Sequence, residues 1–158
     1  MIIQTGKYIL RNFTKSDVKD FFNMVNGDEI IEDYVPYAYV HNMQEAFENV
    51  KEYTQGDCKN DFYLVIEKKG KMVGAIIAQR TIGKTLDTSI FISKKYRGKG
   101  IMTESLEAFV QWLRKNTNYE AIFLVIRNDN SASIRLAQKC GAVLQREIEE
   151  DKVYRIIL

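Results

Sequence analysis

One segment decides the fold of this chain: Ile90-Phe91-Ile92-Ser93-Lys94-Lys95-Tyr96-Arg97-Gly98-Lys99-Gly100-Ile101-Met102-Thr103. An apolar strand enters a basic turn that contains two glycines, and a helix begins directly after the turn. The first turn of a helix has unpaired N–H groups and partial positive charge, so it attracts anions. Glycine lets backbone amides approach a phosphate closely. The segment therefore predicts an anion site between a strand and a helix.

The turn matches neither of two common phosphate motifs. A Walker A loop needs GxxxxGK followed by Ser or Thr, and the dinucleotide fingerprint GxGxxG needs a glycine where Thr103 stands. The alternative interpretation is a plain glycine turn that reverses the chain, with its lysines serving solubility. The turn by itself leaves both interpretations open.

Hydrophobic periodicity extends the pattern in both directions from this turn. It predicts strands over 7–12, 62–66, 72–78, 86–93, 121–126, 142–148 and 153–158, and helices over 14–25, 42–53, 102–115 and 131–140. Residues 28–39 are expected to be irregular. Three consecutive strands predict an antiparallel meander, and strand–helix–strand predicts a parallel crossover. We therefore expect one α/β domain over 1–158, with a mixed, mostly antiparallel sheet and helices on both faces.

The composition narrows the classes of protein. The chain has 158 residues, of which 46% are apolar and 28% charged, and this excludes a disordered tail, a collagen-like chain and a coiled coil. The longest apolar run, Ala121 to Ile126, is far shorter than the roughly 18 residues that a membrane span needs. The first seven residues show no signal-peptide pattern. We expect a cytoplasmic protein without a membrane partner.

Few residues are available for nucleophilic or metal chemistry. His41 is the only histidine, and Cys58 and Cys140 lack CxxC spacing, so the sequence predicts no metal site and no histidine-dependent triad. His41 is expected at the surface, and Cys140 is expected to be a small core side chain. The chemistry must come from carboxylates, hydroxyls, backbone groups and a bound cofactor.

Two motifs in register resemble the GNAT superfamily of N-acetyltransferases. Arg97-Gly98-Lys99-Gly100-Ile101 is similar to the family's acetyl-CoA loop, Arg/Gln-x-x-Gly-x-Gly/Ala. Asn130-Ser131-Ala132-Ser133-Ile134-Arg135-Leu136, followed by Lys139-Cys140-Gly141, resembles its second motif, Asn-x-x-Ser/Ala-Ile-x-x-x-x-Lys-x-Gly-Phe. The resemblance covers residues 60–158 well. Within the superfamily, Tyr96-Arg97-Gly98-Lys99-Gly100 with Thr103-Glu104 looks most like the ribosomal-protein-alanine acetyltransferase branch.

The resemblance implies a β-α-β core that binds acetyl-CoA as the acetyl donor. Backbone groups of the strand would pair with the pantetheine arm, amides of the turn would hold the diphosphate, and the second motif would contact the pantetheine and the sulfur. The implied cofactor-binding residues are Ile90, Phe91, Ile92, Arg97, Gly98, Lys99, Gly100, Ile101, Met102, Thr103, Asn130 and Ser133. The alternative for Asn130 is an ordinary helix cap, and both roles can hold together.

The resemblance also suggests catalytic residues. Asp87 is the candidate general base, with Glu32 and Asp33 as rivals. A backbone N–H near Ile92, on a bulged fourth strand, would stabilise the oxyanion. Ala137 stands where many relatives carry a tyrosine that protonates the thiolate, which leaves Ser133 or water as the general acid.

Two further positions depart from the family pattern: the first would keep the helix and the cofactor further apart, and the second would change the packing. Met102 replaces the usual Gly or Ala, and Ala142 replaces a common Phe.

The segment before the second predicted helix is similar in position to the one that, in members of the family, forms the acceptor wall, the side of the active site that contacts the amine. Its substrate-binding candidates are Glu32, Asp33, Tyr34 and Tyr37, an acidic and aromatic set that suits a cationic amine. The alternative is a solvated loop pinned by buried tyrosines.

Together these residues predict an enzyme, an N-acetyltransferase that moves acetyl from acetyl-CoA to a primary amine by direct attack in a ternary complex. The acceptor could be a small molecule or a protein N-terminus, and a homodimer is compatible with the sequence. The alternative is a non-catalytic acyl-CoA sensor or scaffold of the same fold. A nucleic-acid partner is disfavoured by the net charge of only +2.

Overall fold

The structure, a computed structural model, describes residues 1–55 and 60–158. In these residues eight strands and five α-helices follow one another along the chain. The strands are β1 Ile2–Gln4, β2 Ile9–Asn12, β3 Phe62–Lys68, β4 Lys71–Arg80, β5 Thr85–Ile92, β6 Ala121–Arg127, β7 Val143–Ile148 and β8 Asp151–Ile157. The helices are α1 Val18–Val25, α2 Glu29–Tyr34, α3 Met43–Gln55, α4 Ile101–Asn116 and α5 Ser131–Lys139.

The strands form a single sheet in the order β1-β2-β3-β4-β5-β6-β8-β7. Every neighbouring pair is antiparallel except β5 and β6, which are joined through α4 and run parallel. This confirms the predicted mixed, mostly antiparallel sheet with a β-α-β unit at its centre.

The two parallel strands separate soon after they meet. β5 and β6 pair only where Thr85–Asp87 lies beside Ala121–Phe123. Beyond that point β5 follows β4 as far as Ile92, and β6 follows β8 as far as Arg127. Among residues 1–55 and 60–158, no strand pairs with the facing edges beyond that point, and a wedge opens in the middle of the sheet.

Helices cover both faces of the sheet, as the sequence predicted. On one face α4 contributes its predicted apolar stripe, Met102, Leu106, Phe109 and Leu113, all buried. On the other face Phe21 of α1 and Val50 of α3 pack against strand residues such as Val65. Burying each side chain of this size contributes roughly 1.5–3 kcal/mol, so the two cores hold the wedge in a fixed frame.

The structure differs from the sequence prediction in two elements near the N-terminus. The prediction that residues 28–39 are irregular is wrong for Glu29–Tyr34, which form α2. Asp28 caps this helix by accepting hydrogen bonds from the amides of Ile30 and Ile31. The strand β1 was not predicted, because three residues are too few to show an alternating pattern.

Within residues 1–55 and 60–158, no helix is both long enough and apolar enough to cross a bilayer. Cys58 lies outside the described residues.

Candidate active site

A cleft of about 530 Å³ opens where β5 and β6 diverge. Its walls are the end of β5, the turn that leads into α4, the first turns of α5, and one side of α2. The twelve cofactor-binding candidates all line this one cleft: Ile90, Phe91, Ile92, Arg97, Gly98, Lys99, Gly100, Ile101, Met102, Thr103, Asn130 and Ser133. The fold therefore brings both sequence motifs to a single concave surface.

The glycine turn faces the cleft in a conformation that other residues rarely adopt. Gly98 has φ +71° and Gly100 has φ +75°, and an added Cβ at either position would meet no atom within 4 Å. Gly100 is the residue before α4, and no side chain caps that helix. Unpaired first-turn amides therefore face the cleft with the positive end of a 16-residue helix behind them.

Lysine side chains surround the turn on its outer side. The ammonium groups of Lys95 and Lys99 both lie 5.5 Å from the centre of the Tyr96 ring, and that of Lys68 lies 5.6 Å from it. Lys99 also donates a hydrogen bond to the backbone oxygen of Lys95. These cations add positive potential at the mouth of the cleft.

Arg97 has a partner that the sequence did not indicate. Its guanidinium donates to a carboxylate oxygen of Asp28 at 2.5 Å. Asp28 is only 6% exposed, and its other oxygen caps α2. An Asp before a helix is a recognisable cap signal, but nothing in the sequence links it to an arginine 69 positions away.

The second motif forms the cleft wall opposite the turn. The side-chain oxygen of Asn130 accepts a hydrogen bond from the backbone N–H of Ser133 at 3.2 Å. Asn130 is therefore a helix cap, as its alternative interpretation predicted, and it also lines the cleft. Its cap fixes the first turn of α5, which carries Ser133 beside the same cavity.

Asp87 lies on β5 at the last position that pairs with β6, where it is level with Phe123. Its side chain reaches solvent at the sheet surface and is not among the residues that form the cleft wall. Desolvation by neighbouring atoms nevertheless raises its pKa, and a hydrogen bond from the Thr88 backbone only partly opposes this. Asp87 is therefore a carboxylate with increased proton affinity beside the apex of the wedge.

Tyr37 approaches Asp87 from the segment after α2. Although Tyr37 is 53% exposed, desolvation by neighbouring atoms raises its pKa, a hydrogen bond with the Ser89 side chain opposes this shift, and the Asp87 charge adds to it. The acidic candidates Glu32 and Asp33 are exposed and do not line the cleft, whereas Tyr34 does. The four acceptor-wall candidates therefore do not form one surface: Tyr34 lies in the cleft, and Tyr37 lies beside Asp87.

The remaining departures from the family motifs are explained by packing. Met102, Ala137 and Ala142 are all buried in the core on the α4 side of the sheet. Ala137 carries only a methyl group, so it has no hydroxyl to donate, and that methyl is fully buried. The predicted bulge near Ile92 is wrong on the β4 side, because the β4–β5 register runs without a shift from Gly74 opposite Ile92 to Arg80 opposite Leu86. The edge of β5 near Ile92 is open because β6 has separated from it, and no bulge is needed.

The other candidate groups take no part in this cleft. The His41 ring is largely exposed and contacts Glu45 on α3. Burial raises the pKa of the Cys140 thiol to about 11, and its sulfur lies 3.8 Å from the backbone oxygen of Thr103. A thiol with so high a pKa is a poor nucleophile at neutral pH. In the described part of the chain, no three His, Cys, Asp or Glu side chains are grouped to hold a metal ion.

An open wedge between parallel strands, with a glycine turn and an uncapped helix at its rim, is a site suited to an anionic ligand with an extended arm. The sequence model described as "Acetyltransferase (GNAT) domain" matches residues 7–143, most of the chain. The protein belongs to the GNAT acetyltransferase family, which confirms the resemblance identified from the two motifs.

Curated and solved relatives agree with this assignment. An N-alpha-acetyltransferase of Sulfurisphaera tokodaii is 29% identical over 147 residues, covering 85% of this chain and 80% of the relative. RimL, a ribosomal L7/L12 alpha-N-protein acetyltransferase solved in complex with coenzyme A, superimposes with a TM-score of 0.91 at 19% identity, over 100% of this chain and 98% of RimL.

A second solved structure has the same fold. The ribosomal-protein-S5-alanine acetyltransferase of Vibrio fischeri gives a TM-score of 0.82 at 18% identity, over 99% and 96% of the two chains. Both structural likenesses are of fold, and they match the branch that the turn sequence suggested.

Proposed function

We propose that this enzyme transfers the acetyl group of acetyl-CoA to a primary amine by direct attack in a ternary complex. The observation that carries the proposal is the shape of the cleft. The uncapped amides of the glycine turn lie at one end of it, and the open edge of β5 lies along one side. A diphosphate needs the first feature, and an extended amide-bearing chain needs the second. The reported relative RimL was solved with coenzyme A, which supports the same ligand here.

In this proposal the chain's own groups hold the donor along the cleft. Backbone amides from Gly98 to Thr103 hold the diphosphate. The edge of β5 at Ile90 and Ile92 pairs with the pantetheine arm as an additional strand would. Asn130 hydrogen-bonds the arm from the opposite wall with the amide group that its cap does not use.

The chemical step needs three functions from the protein. The amine nitrogen forms a bond to the thioester carbonyl carbon, and a backbone N–H near Ile92 stabilises the negative oxygen. Asp87 accepts a proton from the amine, directly or through water. The C–S bond then breaks, and the departing thiolate takes a proton from Ser133 or from water.

For the acceptor, a protein N-terminus is the first substrate class to test. The support is the 29% identity to an N-alpha-acetyltransferase over most of both chains. Polyamines, aminoglycosides and small metabolite amines complete the panel. Tyr34 and Tyr37 are the proposed contacts, while Glu32 and Asp33 contribute at most a diffuse negative field.

A second candidate function is an acyl-CoA sensor or scaffold of the same fold. It is favoured by the fully buried Ala137, which leaves no hydroxyl at the usual position of the general acid. The two functions differ in one measurement, the release of free thiol with each amine of the panel. Release only at the uncatalysed rate with every amine would favour the sensor.

Gly100→Asp tests the cofactor site. We expect it to abolish binding of coenzyme A in calorimetry, because it places a negative charge and a strained backbone where the diphosphate would lie. Gly83→Asp is the matched control, since Gly83 also has a positive φ, +80°, with open space around its Cβ, but lies in a distant turn. In the wild type, ligand at 100 times its dissociation constant should stabilise the fold by roughly 2.7 kcal/mol. An equal affinity of both variants for coenzyme A would contradict the proposed site.

A further inference from the structure

The helix α2 crosses the mouth of the cleft from one separated strand to the other. Its N-terminal end contacts the turn after β5, through Asp28 and Arg97. Its C-terminal end contacts the last residue of β6, Arg127. We call residues 28–35 the α2 strap. We propose that Asp28 and Arg127 are positioning residues that hold this strap over the reacting end of the cleft, and that Asp28 links the strap to the occupancy of the glycine turn. The inference rests on the proposed function.

At the N-terminal end of the strap, the Asp28 carboxylate contacts both α2 and the glycine turn. Asp28 caps α2 with one oxygen and receives the Arg97 guanidinium on the other. The Arg97 guanidinium has five N–H donors, of which Asp28 takes one, so the others remain able to face an anion. Any movement of Arg97 towards a bound diphosphate is therefore transmitted to the first turn of the strap.

At the second end, a guanidinium lies over an aromatic ring. The guanidinium carbon of Arg127 is 5.0 Å from the centre of the Tyr34 ring, and an Arg127 N–H donates to the backbone oxygen of Asp33 at 3.5 Å. A second N–H pairs with Asp129, which also lines the cleft. Arg127 thus ties the last turn of the strap to β6 and to the segment before α5.

Two apolar side chains also hold the strap: Ile31 belongs to the core on the α1 and α3 side of the sheet, and Val35 packs against that core. A six-residue helix rises only about 9 Å and is too short to be stable without tertiary contacts. Ile31 is its single buried side chain, at 1% exposure, and Ile30 is 49% exposed although it lines the cleft. The two arginine contacts add to this packing and hold the two ends of the strap, one against the glycine turn and one against β6.

The position of the strap matters because its Ile30, Ile31 and Tyr34 form part of the cleft wall. Misplacement of a positioning group by about 1 Å can cost roughly 100-fold in rate. If diphosphate binding fixes Arg97, it also fixes Asp28 and the strap, and the acceptor then meets a pre-organised wall. By linkage, an acceptor that binds against the strap must increase the affinity for coenzyme A by the same factor.

Hydrogen exchange of the strap amides tests the positioning role of Asp28 without an activity assay. In the free protein we expect Asp28→Asn to increase exchange of the strap amides by at least about fivefold, because asparagine keeps the cap but loses the ion pair. Glu29→Gln is the matched control: it removes one carboxylate from the neighbouring exposed position and should leave exchange unchanged. Coenzyme A should slow exchange in the wild-type strap, and Asp28→Asn should lose this effect.

Steady-state kinetics tests the consequence for the acceptor. We expect Arg127→Gln to lower kcat/KM for the amine roughly tenfold, mostly through the KM for the amine, while the dissociation constant of coenzyme A changes less than about threefold. Arg146→Gln, on the exposed strand β7, is the control for loss of one arginine.

The outcomes separate this inference from the function on which it rests. If coenzyme A binds and amines are acetylated, but strap exchange is the same in Asp28→Asn and Glu29→Gln, the positioning role is wrong and the proposed function stands. If coenzyme A does not bind the wild type at all, both are wrong. A fall in kcat/KM that is equal in Arg127→Gln and Arg146→Gln would also overturn the role of Arg127.

Discussion

Asp87 shows how a single side chain acquires its properties from its neighbours. In the sequence it is a carboxylate near a turn, and two other acidic residues compete with it for the role of base. In the fold it lies beside the apex of the wedge, where desolvation raises its pKa, while Glu32 and Asp33 lie on the exposed side of α2. These positions on the folded chain favour Asp87 over Glu32 and Asp33 as the base that we propose.

Asp87→Asn should remove the general base. We expect kcat/KM to fall by roughly 10²–10⁴-fold while coenzyme A binds normally. Because the raised pKa keeps the wild-type carboxyl protonated to higher pH, activity should rise with pH through a limb above the ordinary aspartate pKa of about 3.9. The variant should lack that limb. Asp20→Asn, on α1, is the control, and a limb that persists in Asp87→Asn would assign the base elsewhere.

Among the elements, β4 and β5 form the fixed side of the wedge, and a glycine sets their separation. An added Cβ on Gly74 would lie 2.8 Å from the backbone oxygen of Phe91 and 3.3 Å from the Cα of Ile92. The strands can approach this closely only because position 74 has no side chain. Since Ile92 borders the cleft, the same contact positions the strand edge that we assign to the pantetheine arm.

Gly74→Ala should move the edge of β5 that borders the cleft at Ile92. We expect about 1–3 kcal/mol of lost stability in urea unfolding, together with weaker binding of coenzyme A, because backbone atoms cannot yield as a flexible side chain can. Gly6→Ala is the comparison, since its Cβ would meet only the Glu104 carboxylate at 3.7 Å, an ordinary contact. Equal stability of the two variants would show that the sheet adjusts without cost.

On the scale of the whole molecule, an ion-pair network ties the N-terminal elements to the sheet. Arg11 of β2 contacts Asp17, in the turn before α1, at 2.7 Å and Glu67 of β3 at 2.6 Å. The Asp17 side chain is only 5% exposed. Burial alone would raise its pKa, but hydrogen bonds from Arg11 and Thr14 outweigh burial and hold the pKa below its usual value.

This lowered pKa determines the sign of the pH dependence. A carboxyl group with a depressed folded-state pKa stabilises the fold above its unfolded pKa of about 3.9, and the contribution is lost as the pH falls through the folded value. We expect Asp17→Asn to cost about 1–3 kcal/mol at pH 7, measured by urea unfolding, because Arg11 loses its buried partner and keeps only Glu67. The difference from the wild type should shrink below pH 4, and a constant difference would contradict this reading. Glu48→Gln, in an exposed pair with Lys51, should cost little.

Three predictions about the whole chain stay predictions: a single domain over 1–158, a cytoplasmic location and a homodimer. Each has a direct measurement, namely unfolding with a single transition, localisation of a tagged chain, and light scattering. The expected absence of nucleic-acid binding is tested by the salt dependence of any association, because a phosphate-backbone binder shows a steep slope.

The amino-acid sequence by itself determined the family and most of the elements, all except β1 and α2. Local signals carry this information: hydrophobic periodicity predicted α4 and its buried stripe, glycines at positive φ marked the turn, and Asn130 marked the start of α5. Each of these depends on residues a few positions apart, which is the range over which a pattern can be read along a chain.

Only the tertiary structure decided how the site is assembled. The divergence of β5 from β6, the contact of Arg97 with Asp28 and the stacking of Arg127 on Tyr34 join residues far apart in sequence. No local pattern encodes such contacts, because they arise when two cores fix separate segments at one place. Which carboxylate has a raised pKa, and which aromatic residue lines the cleft, follow from that packing rather than from residue type.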